Sequence, residues 1–162
     1  RAFRDAVYKS EYFPVSKVIW SRSESIPYDP LEIMAELADE YEMELHAWMN
    51  PYRNTSFDTE ILDPALKETR EEILLCVSEV LDNYDVDGIH FDDYFYEEGN
   101  TLPEEEKKKQ VNKMVKAVYK KVHAAGRNLV FGISPAESSK TIFCGFTIPV
   151  ADILRITLPP WE

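Results

Sequence analysis

Two adjacent aspartates, Asp92 and Asp93, stand among aromatic residues, with Phe91 before them and Tyr-Phe-Tyr at residues 94–96. This combination is typical of carbohydrate sites, because the C–H faces of a sugar stack on aromatic rings while a carboxylate stabilises an oxocarbenium-like centre. Neighbouring strand residues point to opposite sides, so the two aspartates cannot act together as acid and nucleophile. A partner carboxylate must therefore come from another strand. The alternative is that both aspartates are turn residues that end a strand.

Two histidines, His46 and His90, occupy matching positions in two successive apolar runs. A single histidine on a strand is more often a hydrogen-bonded structural group than a ligand, but the matched positions make a functional role equally plausible. Together with Asp92 they could bind a metal ion, although no metal-ligand spacing accompanies them. Cys76 and Cys144 form neither a disulfide framework nor a metal motif. We therefore predict neither a metal nor another cofactor.

Three short apolar runs predict the strands that must position these residues. They begin 42 residues apart and cover residues 44–49, 86–92 and 128–133. A helical pattern precedes each run, which predicts βα units around a parallel sheet. The connections that follow the first two runs are long, and such loops lie at the carboxyl ends of strands, where function lies in these folds. No glycine-rich turn follows a run, so a (β/α) barrel is favoured over a nucleotide-binding fold.

Local signals predict where the helices begin and end. Two Asp-Pro dipeptides, at residues 29–30 and 63–64, each place an N-cap before a proline at the first helical position. Residues 101–104 resemble a capping box, which predicts the start of a third helix. Gly126 is expected to follow the end of that helix in a left-handed conformation.

Alternation along the predicted strands separates a helix-facing side from an inward side. The helix-facing side is apolar and comprises Leu45, Ala47, Met49, Ile89, Phe91, Leu129, Phe131 and Ile133. The inward side is polar toward the strand ends and includes His46, Asn50, His90, Asp92 and Ser134, with Trp48 among them. A barrel interior built only for stability carries branched apolar residues. The converging polar side chains therefore indicate a site.

The composition excludes several classes of partner. Of the 162 residues 44% are hydrophobic, which is enough to bury a core and excludes a disordered chain. The formal net charge of -12 disfavours nucleic acid and anionic membranes as partners. No apolar run approaches the roughly 18 residues that a membrane-spanning helix requires. We therefore expect no nucleic-acid partner and no membrane span.

At these residues the sequence resembles the glycosyl hydrolase-like 10 family, predicted TIM-barrel glycosidases of bacteria that are often secreted or lipid-anchored. The similar stretches keep the family's order and spacing, and the two most specific are HAWMNPYR and DGIHFDDYFY. They lie at residues 1–20, 28–31, 46–53, 62–64, 83–96 and 131–135. The resemblance implies an extracytoplasmic location.

The resemblance also implies a partial (β/α)8 TIM barrel. Arg1 would stand at the end of barrel strand two, and the three predicted strands would be strands three, four and five, with residues 151–157 as strand six. Because a complete barrel typically needs about 250 residues, we expect residues 1–162 to form a single fragment of a glycosidase-like barrel. Its unpaired sheet edges would be exposed unless another chain covers them, so an oligomer is one expected arrangement.

Catalytic roles follow from the same resemblance. The pattern of Gly88, His90 and Asp92 is similar to the strand-four motif of α-amylase-type glycosidases, in which the aspartate is the nucleophile, although those enzymes carry arginine where His90 stands. Asp92 is therefore predicted to be the nucleophile or a charge stabiliser at the anomeric carbon. Asp93 would hydrogen-bond its own loop or orient the substrate. Glu137 is the candidate acid/base.

The remaining candidate residues are predicted to contact the substrate. Polar side chains would hold sugar hydroxyls or an acidic substituent, and these are Arg1, His46, Asn50, Arg53, His90 and Ser134. Aromatic side chains would stack on sugar rings, and these are Trp48, Tyr94 and Tyr96. The resulting prediction is a glycoside hydrolase acting on a bacterial poly- or oligosaccharide, with peptidoglycan glycan strands as a candidate. The alternatives are a non-catalytic carbohydrate-binding barrel and an inactive barrel fragment.

Overall fold

The computed structural model describes residues 5–16, 27–54, 61–92, 96, 100–126 and 128–134. Within these ranges helices and strands alternate along the chain. The elements in chain order are α1 (Pro30–Glu40), β1 (His46–Met49), α2 (Lys67–Asn83), β2 (Gly88–Phe91), α3 (Glu104–Ala124) and β3 (Val130–Ile133). The three predicted strands are confirmed, each shorter than its apolar run. The further strand predicted at residues 151–157 lies outside the described residues.

The three strands form one parallel sheet in the order β1-β2-β3. His46 of β1 aligns with Gly88 of β2, and Gly88 aligns with Val130 of β3. A helix connects each strand to the next, as parallel pairing requires. The protein is therefore a mixed α/β structure with a parallel sheet, as the sequence predicts.

Helix α1 begins where the sequence predicts. The Asp29 carboxylate accepts hydrogen bonds from the backbone N–H groups of Leu31 at 3.0 Å and Glu32 at 3.4 Å, and Pro30 occupies the first helical position. The cap satisfies donors that have no partner inside the helix. Among the described residues, no helix combines the length and apolar character needed to cross a bilayer.

Helix α2 begins later than predicted, so the expected N-cap at Asp63 is wrong. The helix starts at Lys67 with Leu66 in the N-cap position, and no side chain caps it. Asp63 instead accepts a 2.8 Å hydrogen bond from the backbone N–H of Ala65. This bond closes an Asx-type turn, an alternative to helix capping for the same side chain.

Helix α3 also corrects a prediction, because the capping box expected at residues 101–104 does not form. The helix starts at Glu104 with Pro103 in the N-cap position and has no side-chain cap. Its first turn carries Glu104, Glu105 and Glu106, whose negative charges favour the positive end of the helix dipole. The predicted end is confirmed, because Gly126 follows the helix with φ of 76°.

The hydrophobic core lies between the sheet and the helices α2 and α3. The helix-facing strand residues Ile89, Phe91 and Phe131 are almost completely buried, and so are Val77 of α2 and Val118 of α3. The Phe91 and Phe131 rings pack edge to face with centroids 5.2 Å apart. This burial confirms the helix-facing side that alternation predicts, and it leaves the opposite face of the sheet to carry the polar residues.

Candidate functional site

The inward face of the sheet carries three rows of side chains that run across the strands. The first row is His46, Gly88 and Val130, the second row is Trp48, His90 and Gly132, and the third row is Asn50, Asp92 and Ser134. The third row lies just past the strands. Hydrogen bonds continue the ladder there, because Asp92 N donates to Met49 O at 3.0 Å and Ser134 N donates to Phe91 O at 2.9 Å. The parallel register therefore brings Asp92 and Ser134 to the same carboxyl edge.

The imidazole of His90 crosses from β2 onto β3. Its Nδ1 atom lies over Gly132, where an added Cβ would stand only 2.6 Å away. Its Nε2 atom lies 2.7 Å from the Ser134 hydroxyl oxygen, which is a hydrogen-bonding distance. The ring therefore connects the second row to the third row.

The electrostatic surroundings keep His90 neutral at neutral pH. Burial lowers the pKa of the imidazole, the Asp92 carboxylate opposes this effect, and the nearby His46 lowers the pKa further. Desolvation of the partly buried ring outweighs the attraction of Asp92 and favours the uncharged form. The neutral ring can donate from one nitrogen and accept at the other.

His46 lies in the first row, at the amino-terminal end of β1 and away from the carboxyl edge. Its ring packs over Gly88, where an added Cβ would stand 2.8 Å from Nδ1. Its Nε2 atom lies 3.6 Å from the Glu44 carboxylate. The structure therefore does not bring His46 into the row that contains Asp92.

The other residues predicted to contact substrate have different surroundings. Trp48 is half exposed in the second row, with a relative exposure of 50%. Asn50 is buried at the end of β1, whereas Arg53 is exposed in the following loop. Tyr96 packs against the core with its hydroxyl oxygen buried, and burial raises its pKa to about 12. Of the two described aromatic candidates, Trp48 is thus the exposed one.

A small pocket that is partly open to solvent lies between the end of β1 and helix α2, on the helix side of the carboxyl edge. Its wall is largely apolar and includes Phe13 and Phe91. Asn50, Arg53 and Glu72 add polar groups to it. Asn50, the residue that follows β1, thus lines this pocket on the helix side of the sheet.

Two buried carboxylates hold the segment of residues 5–16 against the helices. Glu79 of α2 accepts hydrogen bonds from the Tyr8 hydroxyl at 2.8 Å, from the Ser10 hydroxyl and from the Glu11 backbone N–H. The second carboxylate, Asp29, accepts a 3.0 Å hydrogen bond from a backbone N–H of the same segment. Paired donors make such buried charges tolerable. Glu79 thereby helps to place the segment that contributes Phe13 to the pocket.

Four candidate residues, Arg1, Asp93, Tyr94 and Glu137, lie outside the described residues. Within the described ranges, no group of three or more His, Cys, Asp or Glu side chains could hold a metal ion.

The sequence did not predict that Gly88 and Gly132 receive the histidine rings. Gly88 follows His46 by 42 residues, and Gly132 follows His90 by the same interval. This interval equals the spacing of the predicted strands, so it places each glycine opposite its histidine in a parallel register. The repeated spacing was the signal that could have identified them.

Comparison with known proteins finds relatives among glycosyl hydrolases. The family model for glycosyl hydrolase-like 10 matches residues 50–110. The chain is 30% identical over 175 residues to glycosyl hydrolase YngK of Bacillus subtilis (strain 168), an alignment that covers 81% of this chain and 34% of the relative. It is 28% identical over 181 residues to glycosyl hydrolase DigH of Escherichia coli (strain K12), with 81% of this chain and 41% of the relative covered.

Solved structures show a weaker likeness. The GH36 α-galactosidase AgaA of Geobacillus stearothermophilus matches with a TM-score of 0.48 and 14% identity, over 82% of this chain and 23% of that chain. An α-galactosidase from Lactobacillus brevis matches with a TM-score of 0.48 and 12% identity, over 82% of this chain and 22% of that chain. The chain spans between about a third and two fifths of the curated relatives it matches. The family match and these relatives confirm the resemblance of the sequence to the glycosyl hydrolase-like 10 family.

Proposed function

We propose that this chain is the central part of a (β/α)8 barrel glycoside hydrolase, in which β1, β2 and β3 are barrel strands three, four and five. A parallel sheet with a helix between each pair of strands supports this proposal. The family match and the two glycosyl hydrolase relatives support it as well. In such a barrel the third row would stand at the catalytic face, because active sites lie at the carboxyl ends of the strands.

Asp92 would be the nucleophile or the charge stabiliser at the anomeric carbon. The observation that carries this assignment is its place in the third row, directly after β2 and on the inward face of the sheet. A carboxylate there would meet a sugar held at the mouth of the barrel. Asp93 would orient the substrate or hold its own loop, and Glu137 is the proposed acid/base.

The stereochemical outcome would depend on the separation between the two carboxyl groups. A retaining enzyme holds them about 5–5.5 Å apart, and an inverting enzyme holds them about 6.5–9.5 Å apart to admit a water molecule. Trp48 would stack on a sugar ring, while Asn50, Arg53 and Ser134 would contact hydroxyls or an acidic substituent. The proposed substrate is a bacterial poly- or oligosaccharide, with peptidoglycan glycan strands as the candidate supported by the family resemblance.

The direct test is Asp92→Asn in the full-length protein, assayed on isolated glycan strands. The variant should lose cleavage while keeping its folded spectrum, because the amide has the same shape but cannot act as nucleophile or carry charge. Asp82→Asn is a matched control, since Asp82 is exposed on α2. Full activity in Asp92→Asn would exclude the assignment. Glycan binding without cleavage by the unaltered protein would favour the carbohydrate-binding alternative.

A further inference from the structure

Three features of the neighbouring strands β2 and β3 bring His90 and Ser134 together. His90 and Gly132 are register partners. Gly132 leaves space for the imidazole, because a Cβ at that position would stand 2.6 Å from Nδ1. Ser134, two residues further along the chain and just past β3, places its hydroxyl oxygen 2.7 Å from Nε2.

We propose that His90 is a positioning residue that acts through Ser134, and that the Ser134 hydroxyl is the group that hydrogen-bonds a substrate hydroxyl. This proposal deepens the proposed function and rests on it, because the ligand is taken to be a glycan. It reassigns His90, for which the sequence pattern predicts a direct substrate contact. The reassignment follows from the position of the ring, which has one nitrogen at Ser134 and the other over the backbone of β3.

A serine hydroxyl at an exposed strand end can rotate among several orientations. The hydrogen bond to His90 selects one of these orientations before the ligand arrives. Less conformational entropy is therefore lost when the ligand binds. Ser134 stands in the third row with Asp92. A hydroxyl fixed there would orient a sugar beside the proposed catalytic carboxylate.

The protonation state of His90 decides what the hydroxyl offers to a ligand. A neutral imidazole can accept the Ser134 proton at Nε2, which leaves the serine lone pairs for a hydroxyl of the sugar. A cationic imidazole has two donors and no acceptor, so Nε2 must donate to the serine oxygen and the serine proton turns toward the ligand. Proton uptake by His90 therefore changes Ser134 from acceptor to donor.

The groups that face His90 decide when this change occurs. His46 faces it from β1, and Asp92 directly follows its own strand. The neighbouring strand contributes the uncharged Gly132 and, just past its end, Ser134. Burial and His46 lower the pKa of the imidazole, against the effect of Asp92. Neutral pH therefore favours the uncharged ring, which permits the acceptor form of Ser134, whereas the cationic ring formed in acid requires the donor form.

Imidazole nitrogen NMR on the 162-residue chain tests the pair without any assay of activity. The chain has three histidines, so His46→Gln and His123→Gln assign the signals. Ser134→Ala should shift the His90 Nε2 resonance and change the His90 pKa, while the His123 signals stay in place. Gly132→Ala should produce the same change by displacing the ring. Unchanged His90 signals in Ser134→Ala would overturn the proposal.

Two conservative variants sharpen this result. Ser134→Thr keeps a hydroxyl and should keep the His90 signals close to those of the unaltered chain. Val130→Ala shortens a side chain on the same strand but in the first row, and it should leave the His90 signals in place. A change as large in Val130→Ala as in Ser134→Ala would show a general response of the sheet and would contradict the proposal.

Glycan kinetics in the full-length protein test the role of the pair. Ser134→Ala and His90→Ala should each raise KM about tenfold with a smaller effect on kcat, as expected for one lost hydrogen bond. The double variant should lose no more than Ser134→Ala alone, since the two residues act as one unit. Additive losses would overturn the positioning role. If the unaltered protein cleaves no glycan, the proposed function fails, while the NMR result still decides whether the pair exists.

Discussion

The Tyr84 hydroxyl donates a 2.6 Å hydrogen bond to the Asp29 carboxylate, which joins the residue that ends α2 to the residue that caps α1. Asp29 and Tyr84 are both buried. The same carboxylate accepts from the backbone N–H of Lys9 at 3.0 Å. One side chain thus connects the first helix, the second helix and the segment of residues 5–16.

Replacing Tyr84 by Phe should lower the free energy of unfolding by about 2 kcal/mol, because a buried hydrogen bond to a charged group is lost. Urea denaturation followed by circular dichroism measures the change. Tyr41→Phe is the matched control, since Tyr41 is exposed at the end of α1 and should tolerate the substitution. Equal stability of the two variants would contradict the role assigned to the Tyr84 hydroxyl.

Adding a single methyl group at Gly88 should destabilise the sheet. A Cβ at Gly88 would stand 2.7 Å from the Val130 carbonyl oxygen and 2.8 Å from His46 Nδ1. The carbonyl belongs to the neighbouring strand and cannot move freely, so Gly88→Ala should cost about 2 kcal/mol. The measurement is the shift in the midpoint of urea denaturation. The dependence of the free energy of unfolding on urea concentration should stay unchanged.

Gly126→Ala provides a comparison for Gly88→Ala. A Cβ at Gly126 meets no atom within 4 Å, but its φ of 76° disfavours alanine. The expected cost is about 1 kcal/mol from the backbone conformation alone. If Gly88→Ala proves less costly than Gly126→Ala, the close packing of His46 over Gly88 is wrong.

Buried tyrosines should make the fold sensitive to alkali. Burial is the largest cause that raises the pKa of Tyr96 to about 12. Burial also raises the pKa values of three more phenols, Tyr8, Tyr52 and Tyr84. The folded state therefore holds these protons more tightly than the unfolded state. The free energy of unfolding should be unaffected below pH 10, which is about the pKa of a tyrosine in the unfolded chain. Above that pH it should decrease, and the contribution of Tyr96 should be lost by about pH 12.

Unfolding by urea from neutral pH to about pH 11 measures this loss. Tyr52→Phe should make the free energy of unfolding fall less steeply with pH. The fully buried Tyr52 ring would keep its packing, but there would be no phenol to ionise. Tyr12→Phe is the control. Because Tyr12 is exposed, this variant should show the same pH dependence of the free energy of unfolding as the unaltered chain. Constant stability of the unaltered chain up to pH 11 would refute the prediction.

Removing the Trp48 ring should weaken glycan binding more than it weakens the fold. Trp48 is half exposed in the second row, beside His90. Loss of one stacked ring typically corresponds to about a tenfold loss in affinity. Calorimetric titration of the full-length protein with a soluble glycan oligosaccharide measures it, with Tyr41→Ala as an exposed aromatic control. Unchanged affinity in Trp48→Ala would remove Trp48 from the proposed site.

Local patterns were sufficient to predict which face of each strand is buried. Ile89 and Phe91 face the helices while His90 faces inward, because side chains alternate along any strand whatever its partners. The start of α1 was also predictable from the local sequence, because Asp29 caps the N–H groups of the residues two and three positions ahead. The family resemblance was also carried by contiguous stretches, chiefly HAWMNPYR and DGIHFDDYFY.

Contacts between distant segments decided the remaining features. Asp29 and Asp63 both precede a proline, yet Asp29 caps a helix and is held by the distant Tyr84, whereas Asp63 closes a turn with Ala65. Glu79 belongs to a helix rich in charge, but Tyr8 and Ser10 bury its carboxylate from about 70 residues away. No local pattern reports such a partner.

The sequence by itself determined the order of elements, the two faces of the sheet and the family likeness, because each depends on residues that are close together along the chain. Only the tertiary structure decided that His90 lies over Gly132 and reaches Ser134, 44 residues away. That pairing depends on the register between β2 and β3. Register is set by packing across the sheet, and a shift of one residue would turn Ser134 to the opposite face.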